Sequence, residues 1–391
     1  MKSQIEREKI RRLAKWAKGI PQPPIRMDLE PTYSCNLKCK FCWQRDPYRI
    51  GITNYSTALT EQRLLEIVDE AAKLGVLEWQ IAGGWEPFIK PQTTMKLLRR
   101  IKDHGMFGCI TTNGTLITKQ RAKELVEMGW DQILFSLEGA DAKTHDFLTG
   151  VPGSFKKSTD AMKYIRDFKK QLRKKTPRFS FHAVITNKNY TKVLELIKLG
   201  KELEVEGVGF ESLNVWSDEG AKLKLNEKQK KEFVEYVKDA VKLSKKLNVP
   251  NTLEKFLETE LIDKEKMGEI VIEDANKSEQ QRIKQKINNP FLSAACFEPF
   301  YSLEIRASGH VVECRLCDYQ DFAPRIHKTS LEEIWFGKYF SDLRKKMINH
   351  DLPKYCNTCA AGIVVDFRKI RDELIKLETN PFKKLKYKLI K

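Results

Sequence analysis

A chain of 391 residues, 41% hydrophobic and 32% charged, has room for one large domain and a smaller one. No apolar run approaches the roughly 18 residues of a spanning helix. The Lys-, Arg- and Glu-rich start from Met1 to Gly19 lacks the features of a signal peptide, so a cytoplasmic location is expected. The formal net charge is +18, but residues 1–20 carry seven Lys/Arg against two Glu, and residues 367–391 carry nine against three Asp/Glu. The two ends therefore hold +11 of the total, which argues for basic tails on an ordinary body and against a nucleic-acid groove through its centre.

In chain order, residues 4–20 read as a short helix with Ile10, Leu13, Ala17 and Ile20 on one face, stopped by Pro21, Pro23 and Pro24. Strands are predicted at 25–33, 77–82, 107–112, 131–137, 178–186 and 206–213, all rich in Ile, Val, Phe and Trp. Helices are predicted between them at 60–75, 92–105, 118–129, 154–175 and 189–204. Such alternation calls for parallel strands joined by right-handed crossovers, and six units fit an open (β/α)6 barrel of the α/β class. Residues 218–290 turn to Lys, Glu and Asn, with helical patterns near 226–247 and 251–268 whose charges read as a solvated face. From 291 the texture changes to short strands at 300–306 and 310–314 and a helix at 330–348. The expected parts are a basic helix over 1–24, the barrel over 25–217, a charged helical linker over 218–290, a cysteine-rich domain over 291–365 and a basic tail over 366–391. In the tail, Phe382, Leu385 and Leu389 stand at i, i+3, i+7 among lysines, a pattern that suits either an anionic membrane surface or a solvated terminal helix.

Nine cysteines make a poor disulfide framework, and in a reducing compartment their clustering points to metal or redox chemistry. Cys109 stands alone in the apolar run Met106 to Ile110 and is expected to be a buried core thiol. Cys35, Cys39 and Cys42 follow the first strand in a C-x3-C-x2-C spacing. Three thiolates on one loop can hold three irons of a [4Fe–4S] cluster and leave the fourth with an open position for a small molecule. A structural zinc site would need four ligands, usually in pairs, and no fourth Cys or His lies close by in sequence.

This loop, with Phe41 before its third cysteine, resembles the signature of radical S-adenosylmethionine (radical SAM) enzymes. The resemblance implies that the amino and carboxylate groups of S-adenosylmethionine chelate the open iron. An electron from the cluster then cleaves the sulfonium to methionine and a 5′-deoxyadenosyl radical, which abstracts hydrogen from substrate. In parallel α/β barrels ligands sit at the strands' C-terminal ends, so further site residues belong there. After the second strand come Gly83, Gly84 and Glu86, which resemble the family's Gly-Gly-Glu-Pro at the amino group of the methionine, although Trp85 interrupts the motif. Asn113, in Thr111 to Gly114, resembles the family's Thr-Asn-Gly along the cofactor pocket. Ser136 and Glu138 end the fourth strand in a pattern resembling Ser-Leu-Asp-Gly, with Ser136 the implied ribose contact and Glu138 in place of the usual Asp. His145 reads as a loop or capping residue before a catalyst.

The second cysteine group, Cys296, Cys314, Cys356 and Cys359, with Gly309 five residues before Cys314, resembles the SPASM/twitch extension of such barrels. The chain stops short of the full cysteine set, which implies one auxiliary [4Fe–4S] cluster held by these four, with Cys317 as a spare or alternative ligand. A zinc ribbon has the same spacing, and with zinc the chain would be a non-enzymatic zinc or RNA-binding protein. A filled auxiliary cluster suits electron removal after hydrogen abstraction, as in the twitch-containing 2-deoxy-scyllo-inosamine dehydrogenase, and it also occurs in SPASM peptide maturases. Only about 25 residues precede the first strand, so an appended peptide-recognition domain is not expected there. That favours a small polar substrate such as a sugar or cyclitol, lipid-linked if the tail meets a membrane, with peptide modification second. The expected partner is a low-potential electron donor of flavodoxin or ferredoxin type.

Overall fold

The computed structural model describes residues 2–43, 58–83, 85–258, 267–315, 317, 322–359 and 361–380. It divides into two compact units: Met1–Asp28, Gln62–Trp79 and Ile262–Lys391 form the first, and Leu29–Glu61 with Gln80–Leu261 form the second. In chain order the strands are β1 (Arg26–Leu29), β2 (Glu78–Ile81), β3 (Phe107–Thr112), β4 (Gln132–Ser136), β5 (Arg178–Ile185), β6 (Val208–Ser212), β7 (Ser302–Ile305) and β8 (Val311–Val312). The first six fall inside the six predicted spans.

In the second unit the strand order is β6-β5-β4-β3, continuing into the ends of β2 and β1. The pairing from β3 to β6 is parallel, with Thr112 beside Phe135, Ser136 beside His182 and Ile185 beside Ser212. Alternation decides which face each side chain takes. Along β5, Phe179, Phe181, Ala183 and Ile185 are buried while Ser180, His182 and Val184 are only half-buried. The buried set, with Ile133, Phe135 and Phe210, forms core; burying each large side chain is worth about 1.5–3 kcal/mol. Helices Lys119–Glu127, Ser154–Gln171 and Val193–Leu203 contribute Leu125, Ile165 and Leu196 to the core. The half-buried face carries the polar groups and ends at the strands' C-terminal edge.

In the first unit β7 and β8 form an antiparallel hairpin with Glu304 beside Val312, turned at Gly309 with φ 77°. Ile25, just before β1, donates its N–H to Tyr301 O at 2.7 Å. Ile10 and Leu13 of the first helix, Lys2–Trp16, join a core with Phe297, Phe300, Phe367, Ile370 and Leu374. That helix stops at Trp16, and Gly19 turns the chain with φ 72°. Ile20, expected on the buried face, is therefore 50% exposed.

Other departures have local causes. The helix expected over 330–348 is two helices, Leu331–Phe336 and Lys338–Ile348, because Gly337 is extended between them (φ −72°, ψ 176°). Of the helix expected over 251–268, Lys255–Glu258 is helical, residues 259–266 lie outside the described residues, and a helix runs Met267–Lys284. Helix Ala361–Thr379 enters the stretch read as a tail and buries Phe367, Ile370 and Leu374. Phe382, Leu385 and Leu389 lie outside the described residues. Cys109 is a buried core thiol, as expected, and among the described residues no helix is long and apolar enough to cross a membrane.

Candidate functional site

Cys35, Cys39 and Cys42 line one cavity of about 470 Å³ in the second unit. Phe41, Gly83, Glu86, Asn113, Ser136 and Glu138 line it with them, so six of the seven residues singled out beside the cysteines converge there. Gly84 lies outside the described residues.

The cysteine loop is held from one side by the end of helix Ala142–Thr149. Lys38 N–H donates to Thr149 O and Lys40 N–H to Leu148 O, both at 2.9 Å. Gly150 caps that helix with φ 68°, and a Cβ there would stand 2.6 Å from Lys38 O, so only glycine allows the approach. Leu37 N–H points at Cys35 Sγ (3.4 Å), and Asn113 Nδ2 donates to Asn36 Oδ1 at 3.0 Å.

Burial and mutual proximity hold the Cys35 and Cys39 thiols in the neutral form. Burial, then Cys42, Glu138 and Cys35, pushes the Cys39 thiol well above its usual range, and burial raises Cys35. Three thiolates crowded at one cavity are stable only around positive charge, which a metal cluster supplies. The donor set therefore fits an iron–sulfur group with three protein ligands. Among the described residues no three His, Cys, Asp or Glu side chains gather closely enough for a single metal ion.

Gly83 has φ 149°, and a Cβ on it would fall 2.0 Å from Glu30 Cγ; the loop after β2 has no room for a side chain at this point. Glu86 is 1% exposed, and its carboxylate is fully engaged. Oε1 accepts from Phe88 N–H (3.0 Å) and Thr112 Oγ1 (2.8 Å), and Oε2 from Asn113 N–H (2.8 Å). Burial pushes this carboxyl up to about 7, against the pull of those donors. Asn113 Oδ1 accepts from Thr115 N–H at 2.9 Å, which fixes the turn after β3.

At the end of β4, Ser136 Oγ lies 3.4 Å from His182 Nε2 on β5. Glu138 Oε2 accepts from Val184 N–H at 2.8 Å, and burial, with Glu211 adding, pushes its carboxyl up to about 8. His145 Nδ1 accepts the Glu138 N–H at 3.0 Å. The ring is fully buried, which holds its pKa down to about 4, and it therefore serves as a neutral acceptor that fixes the Glu138 backbone.

Sequence reasoning did not single out several contributors, among them Trp85, Thr111, Thr112 and His182. Trp85 and Thr111 line the cavity, and Trp85 stacks edge-on with Tyr33 and Trp43 at 6.2 and 6.1 Å between centroids. His182 was signalled only by its place among the half-buried residues of β5.

The second group lies in the first unit. Burial, then Glu298, Cys359 and Cys314, pushes the Cys296 thiol well up; burial, then Cys359 and Glu313, pushes Cys356 up to about 12. The four expected ligands thus act on one another, and their need for a cation repeats the logic of the first site. Cys359 N–H returns to Cys356 O at 3.1 Å, and Cys317 N–H to Cys314 O at 3.2 Å. Cys317 packs against Val312 and Ala323, and burial followed by Glu313 raises its thiol. Glu298 is itself held by Arg26, whose Nη2 lies 3.1 Å from Oε2.

Known families match both sites. Residues 29–200 match the radical SAM superfamily, and residues 296–360 match the SPASM iron–sulfur cluster-binding domain. The chain belongs to the radical SAM superfamily. Its parallel sheet is that of the family's partial barrel, followed by a C-terminal SPASM domain. It is 30% identical over 176 residues to the AdoMet-dependent heme synthase of Methanosarcina barkeri, covering 44% of this chain and 46% of that one. The chain spans about half the length of the curated relatives it matches. Among solved structures it resembles Streptococcus suis SuiB bound to precursor peptide SuiA (TM-score 0.58, 20% identity, 84% of this chain and 69% of that). It also resembles native anSMEcpe with bound AdoMet and Cp18Cys peptide (TM-score 0.55, 16% identity, 92% and 99%). At these identities the likeness to SuiB and anSMEcpe is one of fold.

Proposed function

We propose that this radical SAM chain modifies a peptide or protein substrate by hydrogen abstraction. The observation that carries the reading is the convergence of Cys35, Cys39 and Cys42 with the ends of three successive strands on one cavity. In this reading the three cysteines hold a [4Fe–4S] cluster that takes the amino and carboxylate groups of S-adenosylmethionine. Bound together, the two supply a 5′-deoxyadenosyl radical that abstracts hydrogen. The protein's own part is to hold and orient. Gly83 lets the loop after β2 pack against Glu30 at the cavity wall, while Glu86 locks that loop to the turn carrying Asn113. Ser136 would meet the ribose, and Glu138 lines the same cavity beside it. Cys296, Cys314, Cys356 and Cys359 hold one auxiliary cluster, and Cys317 stands outside that set.

The expectation of a small polar substrate leaned on the roughly 25 residues before the first strand. The anSMEcpe chain, matched here along 99% of its length, carries a peptide. The shared fold therefore supports peptide binding with no added domain, which moves the substrate reading to peptides. A small polar substrate is the second reading. It is favoured by a second, polar cavity of about 350 Å³ along β4, β5 and β6, lined among others by Gln132, Ser180, His182 and Glu211.

The test is stimulation of anaerobic 5′-deoxyadenosine formation by a panel of short peptides and a panel of sugars and cyclitols. Acceleration by peptides, with a mass change in the peptide, supports the proposal. Acceleration by sugars alone overturns it in favour of the second reading.

A further inference from the structure

We propose that an acidic one-electron carrier protein docks on the surface centred on Phe147. The proposal rests on the radical SAM reading, because a cluster at Cys35, Cys39 and Cys42 must receive its electron from outside. An electron bound for a cluster at these half-buried cysteines can enter through the wall that carries them. On one side of the cysteine loop that wall is the last turn of helix Ala142–Thr149, bonded to the loop through Lys38 N–H, Lys40 N–H and the close packing at Gly150.

Phe147 sits in this turn and is 47% exposed, next to Leu148, whose carbonyl holds the loop. The surroundings of this exposed ring are basic. Lys40 Nζ lies 5.2 Å and Lys188 Nζ 6.0 Å from the ring centre. Lys143 is exposed one turn back on the same helix face, and Lys38 is exposed on the cysteine loop itself.

The nearby carboxylates do not reverse this field. Glu219 is paired with Lys40 at 2.9 Å. Asp146 turns inward, accepting from Gly153 N–H (2.6 Å), Ser154 Oγ (2.9 Å) and Phe155 N–H (2.8 Å). An aromatic anchor inside a rim of one charge is the anatomy of a protein interface, and a basic rim selects an acidic partner. In the complex the carrier loses one electron and the cluster gains it, with no bond made or broken.

The experiment uses the reconstituted holoprotein, anaerobically, with reduced flavodoxin as the acidic carrier and dithionite as a reductant that needs no docking. The variants are Phe147→Ser and the pair Lys143→Glu/Lys188→Glu, all at exposed positions. Carrier affinity is read by calorimetry at low and high ionic strength, and cluster reduction by bleaching of the iron–sulfur absorbance. The expected result is about a tenfold or greater loss of carrier affinity and of carrier-driven bleaching in the charge-reversed pair. Wild-type affinity should fall with salt, and dithionite-driven bleaching should be unchanged in every variant. Unchanged carrier affinity, or an equal loss with dithionite, overturns the proposal. If dithionite-reduced wild type forms no 5′-deoxyadenosine, the radical SAM reading fails and takes the proposal with it.

Discussion

Glu86 Oε2 accepts the backbone N–H of Asn113 at 2.8 Å, joining the loop after β2 to the turn after β3 beside the cysteine cavity. With Phe88 N–H and Thr112 Oγ1 also bonded to this carboxylate, Glu86 works as a clamp inside the protein. Its removal should therefore be felt as loss of shape before loss of any direct ligand contact.

Glu86→Ala is expected to strand two buried N–H groups and a hydroxyl, each costing about 1–3 kcal/mol when unsatisfied. Glu86→Gln keeps one acceptor but turns an NH2 toward a donor, so it should fall between wild type and alanine. Denaturant unfolding, with S-adenosylmethionine affinity measured in parallel, checks this. A stable Glu86→Ala protein that simply loses cofactor affinity would show that the clamp is unimportant.

His145 makes a pH prediction. Its folded pKa is held down to about 4 from an ordinary 6.5, so the unfolded chain binds the extra proton first as pH falls. The stability tied to the neutral ring is complete above pH 6.5 and is lost between pH 6.5 and about 4, an effect of about 3 kcal/mol. His145→Asn keeps an acceptor for Glu138 N–H but does not titrate in this window. The stability difference between wild type and His145→Asn should shrink by that amount across the window. A difference independent of pH would contradict the assignment.

Iron content separates the cysteine roles. Two four-iron clusters give about eight irons per chain. Replacing Cys35, Cys39 and Cys42 together by Ala, or Cys296 and Cys359 together, should each remove about half. Cys317→Ser and Cys109→Ser should leave the count unchanged. Loss of iron in Cys317→Ser would move that residue into the ligand set.

The parts of this protein that were readable in sequence are those written in short periods. The alternation Phe179, Phe181, Ala183, Ile185 announced β5 and its buried face, and the spacing of Cys35, Cys39 and Cys42 announced a three-thiol loop. The strand-end rule then brought Gly83, Asn113 and Ser136 to the same cavity. Contacts between distant segments were not readable. Nothing in Glu86's neighbours shows that Asn113 N–H will reach it, nor does the sequence tie His145 Nδ1 to Glu138. Helix Ala142–Thr149 escaped notice because only His145, Leu148 and Thr149 are buried in it, too few for an amphipathic pattern. Gly337 broke a continuous helical pattern by adopting an extended conformation that a periodic count does not register.

The most direct test of the central claim is 5′-deoxyadenosine formation from S-adenosylmethionine by the reconstituted, dithionite-reduced protein, beside the Cys35→Ala/Cys39→Ala/Cys42→Ala variant. The account predicts the nucleoside from wild type and none from the variant. No nucleoside from a wild-type protein carrying its full iron would contradict it, and both cysteine groups would then be structural or electron-transfer sites.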